Sequence, residues 1–227
     1  NSRICSPYLF LARYEDSDGT VILDEAASIR AYIDSHPDAE IEIVTNSAMT
    51  SDNFPAQSVI DFDMAPRLLL DPELQERWLG LKSEDETTAE LTSSDEWRRQ
   101  VNHPRIRIYQ TGLNDSDLFP GGTQTYGKLH AKFWVADPYG FVGTTNFDYR
   151  SRLYNSEMGY FFHAGPLAED LGSVFEDLKA RSYRWGSPEW LQMRENLMEL
   201  GGMKGRTLRM QRTIFKTLRA TGLQWQF

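Results

Sequence analysis

Cysteine is nearly missing from this chain: Cys5 is the only one among 227 residues. One thiol excludes an intrachain disulfide framework, and in an apolar, strand-like run it reads as buried and inert. Histidine is scarce as well, with four in all, so imidazole chemistry has few candidates. No apolar run approaches the length of a membrane span, and no secretory signal is recognisable. Acidic residues are absent from 201–227, which holds Lys204, Arg206, Arg209, Arg212, Lys216 and Arg219. The net charge is −9, so the first 200 residues stand at −15, with 18 basic and 33 acidic side chains. An acidic body is a poor general polyanion binder, which weighs against a nonspecific nucleic-acid role. The chain opens on Asn1 and runs at once into a strand-like stretch, which suggests a processed chain or a piece of something longer.

What is present reads as alternating strands and helices followed by a run of helices. Residues 3–11 and 41–45 are apolar strands, with a helix over 21–35 between them, on Ile22, Ala26, Ile29 and Ile33. The loop after the second strand, TNSAMTSDNFPAQS, is rich in turn residues, and helical patterns follow over about 57–69 and 72–81. Residues 83–96 carry six acids and no base and read as a solvated loop. An alternating strand at 105–110 leads through a long Gly-rich loop, 112–128, to strands at 129–136, 140–143 and 157–163. After Pro166 a helix places Leu167, Leu171, Val174 and Leu178 on one stripe. Ser187-Pro188 starts another helix, closed by Gly201-Gly202.

The stretch with chemistry in it is HAKFWVAD, 130–137, followed by GTTN at 143–146. His130 and Lys132 stand two apart in a β-prone run and share a face; Leu129, Ala131, Phe133 and Val135 take the other face as core. A titratable ring beside a fixed cation suits phosphate chemistry. The pattern H-x-K-x4-D alone would arise by chance in roughly one chain in a hundred. G-T-x-N and then N-x-E (Asn155, Glu157), in order, make coincidence far rarer.

These blocks resemble the phospholipase D superfamily and its HKD motif, most closely the C-terminal half of bacterial cardiolipin-synthase-like members. SPYLF at 6–10, TNSAMTSDNFPAQ at 45–57, LHAKFWVAD and GTTNFDYRSRLYNSEMGYFF at 143–162 carry the likeness. The step from Asp137 to Gly143 is one residue shorter than usual, and 83–96 looks like an insertion. The resemblance implies an α/β/α sandwich with a mixed central sheet over 1–165, and a helical extension with a basic tail over 166–227. It implies an enzyme that cleaves phosphodiesters through a phosphohistidine: a phosphatidyltransferase or phospholipase D acting on phospholipids. The alternative is a nuclease or other phosphodiesterase working as a homodimer.

In that family two motif histidines meet across one site, one attacking phosphorus and the other protonating the leaving alcohol. The resemblance makes His130 one of the pair, the general acid and then base. Lys132 and Asn146, with Thr144 nearby, would hold the phosphate oxygens. Glu157 would accept a hydrogen bond from the imidazole. Asp137 belongs to the motif but is expected to hold loop geometry. No cofactor and no metal is implied. His36, His103 and His163 have no ligand spacing and read as structural or surface residues. The second half would come from an upstream segment or a homodimer mate. Residues 203–221, with Leu208, Ile214, Phe215 and Leu218 among the cations, form an amphipathic helix. It would pack on the acidic body or lie peripherally on an anionic bacterial membrane, with Trp225 and Phe227 following.

Overall fold

The computed structural model describes residues 1–81, 86–112 and 128–226. Most of the Gly-rich loop (113–127), the start of the acidic stretch (82–85) and Phe227 lie outside them. The frame is a seven-stranded mixed sheet in the order β8-β7-β6-β1-β4-β5-β9. In chain order its strands are β1 (Ser2–Cys5), β4 (Ile41–Thr45), β5 (Ile106–Thr111), β6 (Phe133–Ala136), β7 (Tyr139–Gly143), β8 (Gly159–His163) and β9 (Ser182–Arg184). A small hairpin, β2 (Arg13–Glu15) with β3 (Val21–Asp24), stands apart. β1, β4 and β5 run parallel, and the remaining strands of the sheet pair antiparallel.

Both faces of the parallel strands are covered, which is why IEIVT is apolar almost throughout and wholly buried. On one side α8 (Gly165–Ala180) sets Ala168 and Phe175 against Cys5, Val44, Phe133 and Val135. On the other lie α1 (Glu25–Ser35), α2 (Phe54–Val59), α3 (Ala65–Leu69), α4 (Pro72–Gly80), α5 (Glu86–Thr92), α6 (Asp95–Val101), α9 (Pro188–Leu200) and α10 (Gly202–Thr221). A single π-turn, Ile60–Met64, joins α2 to α3. A short helix, α7 (Tyr149–Leu153), follows β7. Four buried tryptophans, Trp78, Trp97, Trp185 and Trp190, tie the second layer together at centroid distances of 5.2 Å (78–97), 5.7 Å (97–185) and 5.4 Å (185–190). Each is worth on the order of 4–6 kcal/mol relative to leaving it in water.

Several expectations change. The first strand stops at Cys5 rather than running to residue 11, because Pro7 offers no N–H to a ladder. Val21–Asp24 is strand, not helix; Asp24 then caps α1 by accepting from Ala27 N at 2.9 Å. The acidic stretch is not a loop from Glu86 on: α5 and α6 occupy it, and Ser94 caps α6 through Trp97 N at 3.1 Å. In α8 the buried face is Ala168, Gly172 and Phe175; of the expected stripe Leu171 and Leu178 pack half-buried against that core, while Leu167 and Val174 are exposed. The stretch from 166 is not helical throughout, since β9 completes the sheet, and its helices share the core of the rest.

The basic tail takes the first of its two expected forms. Leu208, Phe215 and Leu218 of α10 are buried, and Arg212 lies 5.0 Å over the rings of both Phe62 and Trp78. The apolar stripe that a membrane-surface helix needs is therefore inside the protein, and the reading as a helix packed on the body is the one that fits. No helix among the described residues is long and apolar enough to cross a membrane.

Candidate active site

The segment that enters β6 is held by its backbone. Asn46, fully buried at the end of β4, accepts from Leu129 N at 3.0 Å and donates to Leu129 O at 3.2 Å and Pro7 O at 3.1 Å. Gly143 N donates to Lys132 O at 3.2 Å. The Cys5 thiol faces Ala131 O at 3.9 Å; burial pushes its pKa up to about 12, so it acts as a small apolar group. β6 begins only at Phe133, so His130 and Lys132 lie on the strand's lead-in rather than within it. The expected parity survives: Leu129, Ala131, Phe133 and Val135 pack toward α8.

His130 is exposed while Lys132 is buried, with Nζ donating to His130 O at 2.8 Å. The charge on Lys132 is the main reason the imidazole pKa falls below its ordinary value, with burial and Lys128 adding and Asp52 opposing. Lys132 is itself lowered, first by burial and then by Lys128, against the pull of Glu157 and Asp148. The pair is thus an imidazole whose protonated form is disfavoured by the adjacent lysine, and a cation that gains from any anion brought to it.

Thr144, Asn146 and Glu157 join this corner through a polar chain. Thr144 Oγ1 donates to Glu157 Oε2 at 2.5 Å, and Met158 N donates back to Thr144 Oγ1 at 2.9 Å. Asn146 N donates to Ser151 Oγ at 3.3 Å, and its buried side-chain oxygen has no partner among the described residues. Glu157 does not take the imidazole proton as expected. Its carboxylate accepts from Thr144 and, at 3.1 Å, from Asn155, and the Thr144 bond leads the causes holding its pKa down. What it offers the centre is charge toward Lys132 rather than control of the His130 tautomer. Asp137 is not brought into the group. It sits in the turn beyond β6, exposed and with no hydrogen bond to a described residue, about 16 Å along the strand from Lys132.

Three neighbours were missed in the sequence. Asp52 accepts from Lys128 Nζ at 2.6 Å and from the Tyr8 hydroxyl. Burial would raise the Asp52 carboxyl, but these two donors hold it below the usual carboxylate range. The signal was the density of Ser, Thr and Asn straight after a buried strand: residues 45–51 are all buried. The other histidines are elsewhere. His36 stacks on Tyr32 at 4.1 Å, His163 stacks on Tyr139 at 4.5 Å, and His103 Nδ1 accepts from Ile106 N at 2.9 Å. No group of three or more His, Cys, Asp or Glu among the described residues could hold a metal.

No family model matches the chain. Curated proteins do. A segment is 44% identical over 54 residues to the 5'-3' exonuclease PLD3 of Xenopus tropicalis, 23% of this chain and 11% of that one. Another is 30% identical over 107 residues to cardiolipin synthase C of Escherichia coli K12, 42% of this chain and 23% of that one. The chain belongs to the phospholipase D superfamily. The matched segments amount to less than a quarter of either relative's length. Nuc of Salmonella typhimurium, a solved phospholipase D family member, superposes with a TM-score of 0.44 at 13% identity, over 82% of each chain. The sequence segments, not that superposition, decide membership. The corner holds one histidine and one lysine of the HKD pattern, His130 and Lys132; among the described residues the other histidines lie elsewhere.

Proposed function

We propose that the chain is half of a phosphodiester-cleaving centre acting on phospholipids, by phosphatidyl transfer or by hydrolysis. The observation that carries the reading is the buried Lys132 directly beside an exposed His130, whose pKa the lysine charge lowers. A diester phosphate set against Lys132 finds a charge-assisted donor, with Thr144 and Asn146 at the next position. Its negative charge offsets the cationic field that lowers His130, so the imidazole pKa should rise when substrate is present.

In the scheme a histidine from a second half attacks phosphorus, forming an N–P bond as the P–O bond to the leaving alcohol breaks. His130 gives its proton to that alkoxide. It then takes the proton of the incoming alcohol or water, whose oxygen bonds to phosphorus as N–P breaks. Asp137 takes no part in these steps.

Two features favour lipid over nucleic acid. The body outside the tail is strongly acidic. A cavity of about 330 Å³ beside His130 is lined largely by Leu129, Ala131, Val174 and Leu178, with Lys128 and Arg181; an apolar lining suits a glycerol or acyl portion. The nuclease reading stays as the second one because the exonuclease PLD3 is among the relatives. A lipid substrate would place the protein peripherally at a bacterial membrane.

The test is to give the complete protein phosphatidylglycerol and, separately, a single-stranded oligonucleotide. Consumption of the lipid alone is expected, and consumption of the oligonucleotide alone would replace the lipid reading by the nuclease one. His130→Ala should lower turnover by about a thousandfold or more while leaving the fold intact. Unchanged turnover in that variant would end the assignment.

A further inference from the structure

We infer that the cleft between the β2–β3 hairpin, α3, α4 and the last turn of α10 is a second ligand site, suited to a small phosphorylated polyol. Its cavity measures about 580 Å³, within the range of small-molecule sites. It shares no described lining residue with the cavity beside His130. Phe10, on its wall, is tied to the segment after GTTN: its N–H donates to Phe147 O at 2.8 Å and its ring meets that of Tyr149 at 4.4 Å. The cleft therefore lies behind the motif segment, outside the catalytic corner.

Ten of the fourteen described lining residues are polar or charged, which makes an acyl chain a poor occupant. Four are arginines, in a body that is otherwise strongly acidic. Two of the four are engaged within the protein. Arg67 of α3 is buried; Nη1 donates to Asp63 and to Leu11 O, each at 2.9 Å, and Nη2 donates to Asp24 at 2.9 Å and Ala12 O at 3.3 Å. Arg13 pairs with Glu15 at 2.7 Å and with Asp24 at 3.5 Å. Three of the four acids in the lining are thereby compensated. Arg30 of α1 has one long hydrogen bond, Nη1 to Leu70 O at 3.4 Å, and no ion pair with a described residue. Arg219, in the last turn of α10, has neither. Burial raises the Asp63 pKa, with Arg67 and then the charge of Arg219 opposing. Arg219 thus stands near that carboxylate without being paired to it.

A cation gains little in this cleft, because the buried acids already have their arginines. An anion gains from Arg30 and Arg219. A guanidinium holds phosphate oxygens with two parallel hydrogen bonds, where an ammonium acts as a point charge. The other lining groups describe the rest of the ligand. Glu76 of α4 has no ion pair with a described residue, Gln75 donates to Leu70 O at 2.7 Å and keeps its oxygen, and Gln224 lies just past α10. These amides and the carboxylate suit hydroxyl groups. A bare phosphate would leave them unused and be repelled by Glu76. Phe10, Phe62 and Leu79 supply apolar surface for a short carbon chain. A phosphate carrying hydroxylated carbons satisfies both sets.

The experiment is isothermal titration of the full chain carrying Lys132→Met, so that the catalytic corner does not compete for phosphate. The probes are glycerol 3-phosphate, inorganic phosphate and glycerol. Glycerol 3-phosphate should bind, inorganic phosphate about tenfold more weakly, and glycerol alone not at all. Arg30→Gln and Arg219→Gln, each with unchanged circular dichroism, should weaken binding about tenfold or more. Arg98→Gln, on α6 outside the cleft, is the control and should change nothing. Co-sedimentation with phosphatidylglycerol vesicles separates the two sources of a phosphoglycerol group. Vesicle binding lost in both arginine variants supports the site with a lipid headgroup as ligand, and soluble binding alone supports it with a free one. Binding of neither glycerol 3-phosphate nor vesicles, or binding that both arginine variants leave unchanged, overturns the site. Equal affinity for inorganic phosphate and glycerol 3-phosphate overturns the polyol assignment.

Discussion

Asp61→Ala should cost this protein a large part of its stability while leaving the half-site in place. The Asp61 carboxylate is fully buried in the π-turn between α2 and α3. Its oxygens accept from Gln57 at 3.2 Å, Gln110 at 2.7 Å, Arg194 at 3.2 Å and Gln211 at 2.8 Å. Those donors come from α2, β5, α9 and α10, so one side chain joins four elements. Burial pushes its pKa up, against the charge on Arg194 and the three amides. Four donors surround it, an arrangement that favours the ionised form against the cost of burial. Removing one side of a buried ion pair costs about 3–5 kcal/mol, against a total of about 5–15 kcal/mol for a domain. At about 2–4 °C per kcal/mol for a chain of this size, the melting temperature should fall by roughly 6–20 °C. Thermal and urea unfolding at pH 7 measure this, and an unchanged m-value would show that the native state alone was affected. The double variant Asp61→Leu with Arg194→Met should recover most of the loss, since no charge then remains to be left without its partner. A drop below about 2 °C in Asp61→Ala would refute the view that this knot locks the C-terminal helices to the sheet.

Further expectations concern charge and close packing. In an NMR titration Lys132→Met should raise the His130 pKa, because the lysine charge is the main cause of its depression, and Asp52→Asn should lower it further; a reversed sign for either would contradict the site's electrostatics. Glu42 is buried among Arg107, Lys179 and Arg3. Burial raises its carboxyl, but hydrogen bonds and charge from Arg107 and Lys179 outweigh it and depress the pKa in the folded state. Its contribution is therefore complete above the ordinary glutamate value of about 4.3 and fades as pH falls through the depressed value. Glu42→Gln should flatten the acid limb of a melting-temperature profile below that pH, and an unaltered limb would count against it. Gly205→Ala would bring a Cβ within 2.5 Å of Leu197 O where α10 crosses α9. That overpacking should cost about 1–3 kcal/mol by urea unfolding, and a neutral result would mean that the two helices can part freely.

The sequence was most legible where local pattern and tertiary environment agree. IEIVT is an apolar β-branched run and becomes a strand buried throughout. Ser187-Pro188 caps α9, with the serine accepting from Trp190 N at 3.2 Å. The His130 and Lys132 spacing gave the correct face even though the ladder starts one residue after the lysine. The failures have physical causes. In α8 the leucine stripe is the natural choice by hydrophobicity, but the sheet admits small residues at the close approach. A Cβ on Gly172 would come within 3.2 Å of Arg3, so Ala168 and Gly172 face inward and Leu167 turns out. The break between β3 and α1 falls inside one apolar pattern, and only the Asp24 cap marks it. Asp52 could not be singled out from TNSAMTSDN, because its importance comes from Tyr8 and Lys128, 44 and 76 residues away.

The distribution of stability bears on how the uncovered face of β6, β7 and β8 should be understood. An exposed aromatic row can mean a poorly specified fold, but here the strongest packing lies elsewhere and is complete. The tryptophan cluster and the Asp61 knot sit on the β1–β4–β5 side, where the helical layer is continuous. Trp134, Phe141 and Phe161 add little to that layer, so leaving Phe161 in water costs the isolated fold only part of one side chain's transfer energy, about 1.5–3 kcal/mol. A protein with this core can carry such a face without unfolding. The uncovered face also coincides with the one that bears Lys132. Aromatic exposure at Phe161 and the close Gly143–Gly159 approach thus mark where the helical layer ends rather than a core left incompletely packed.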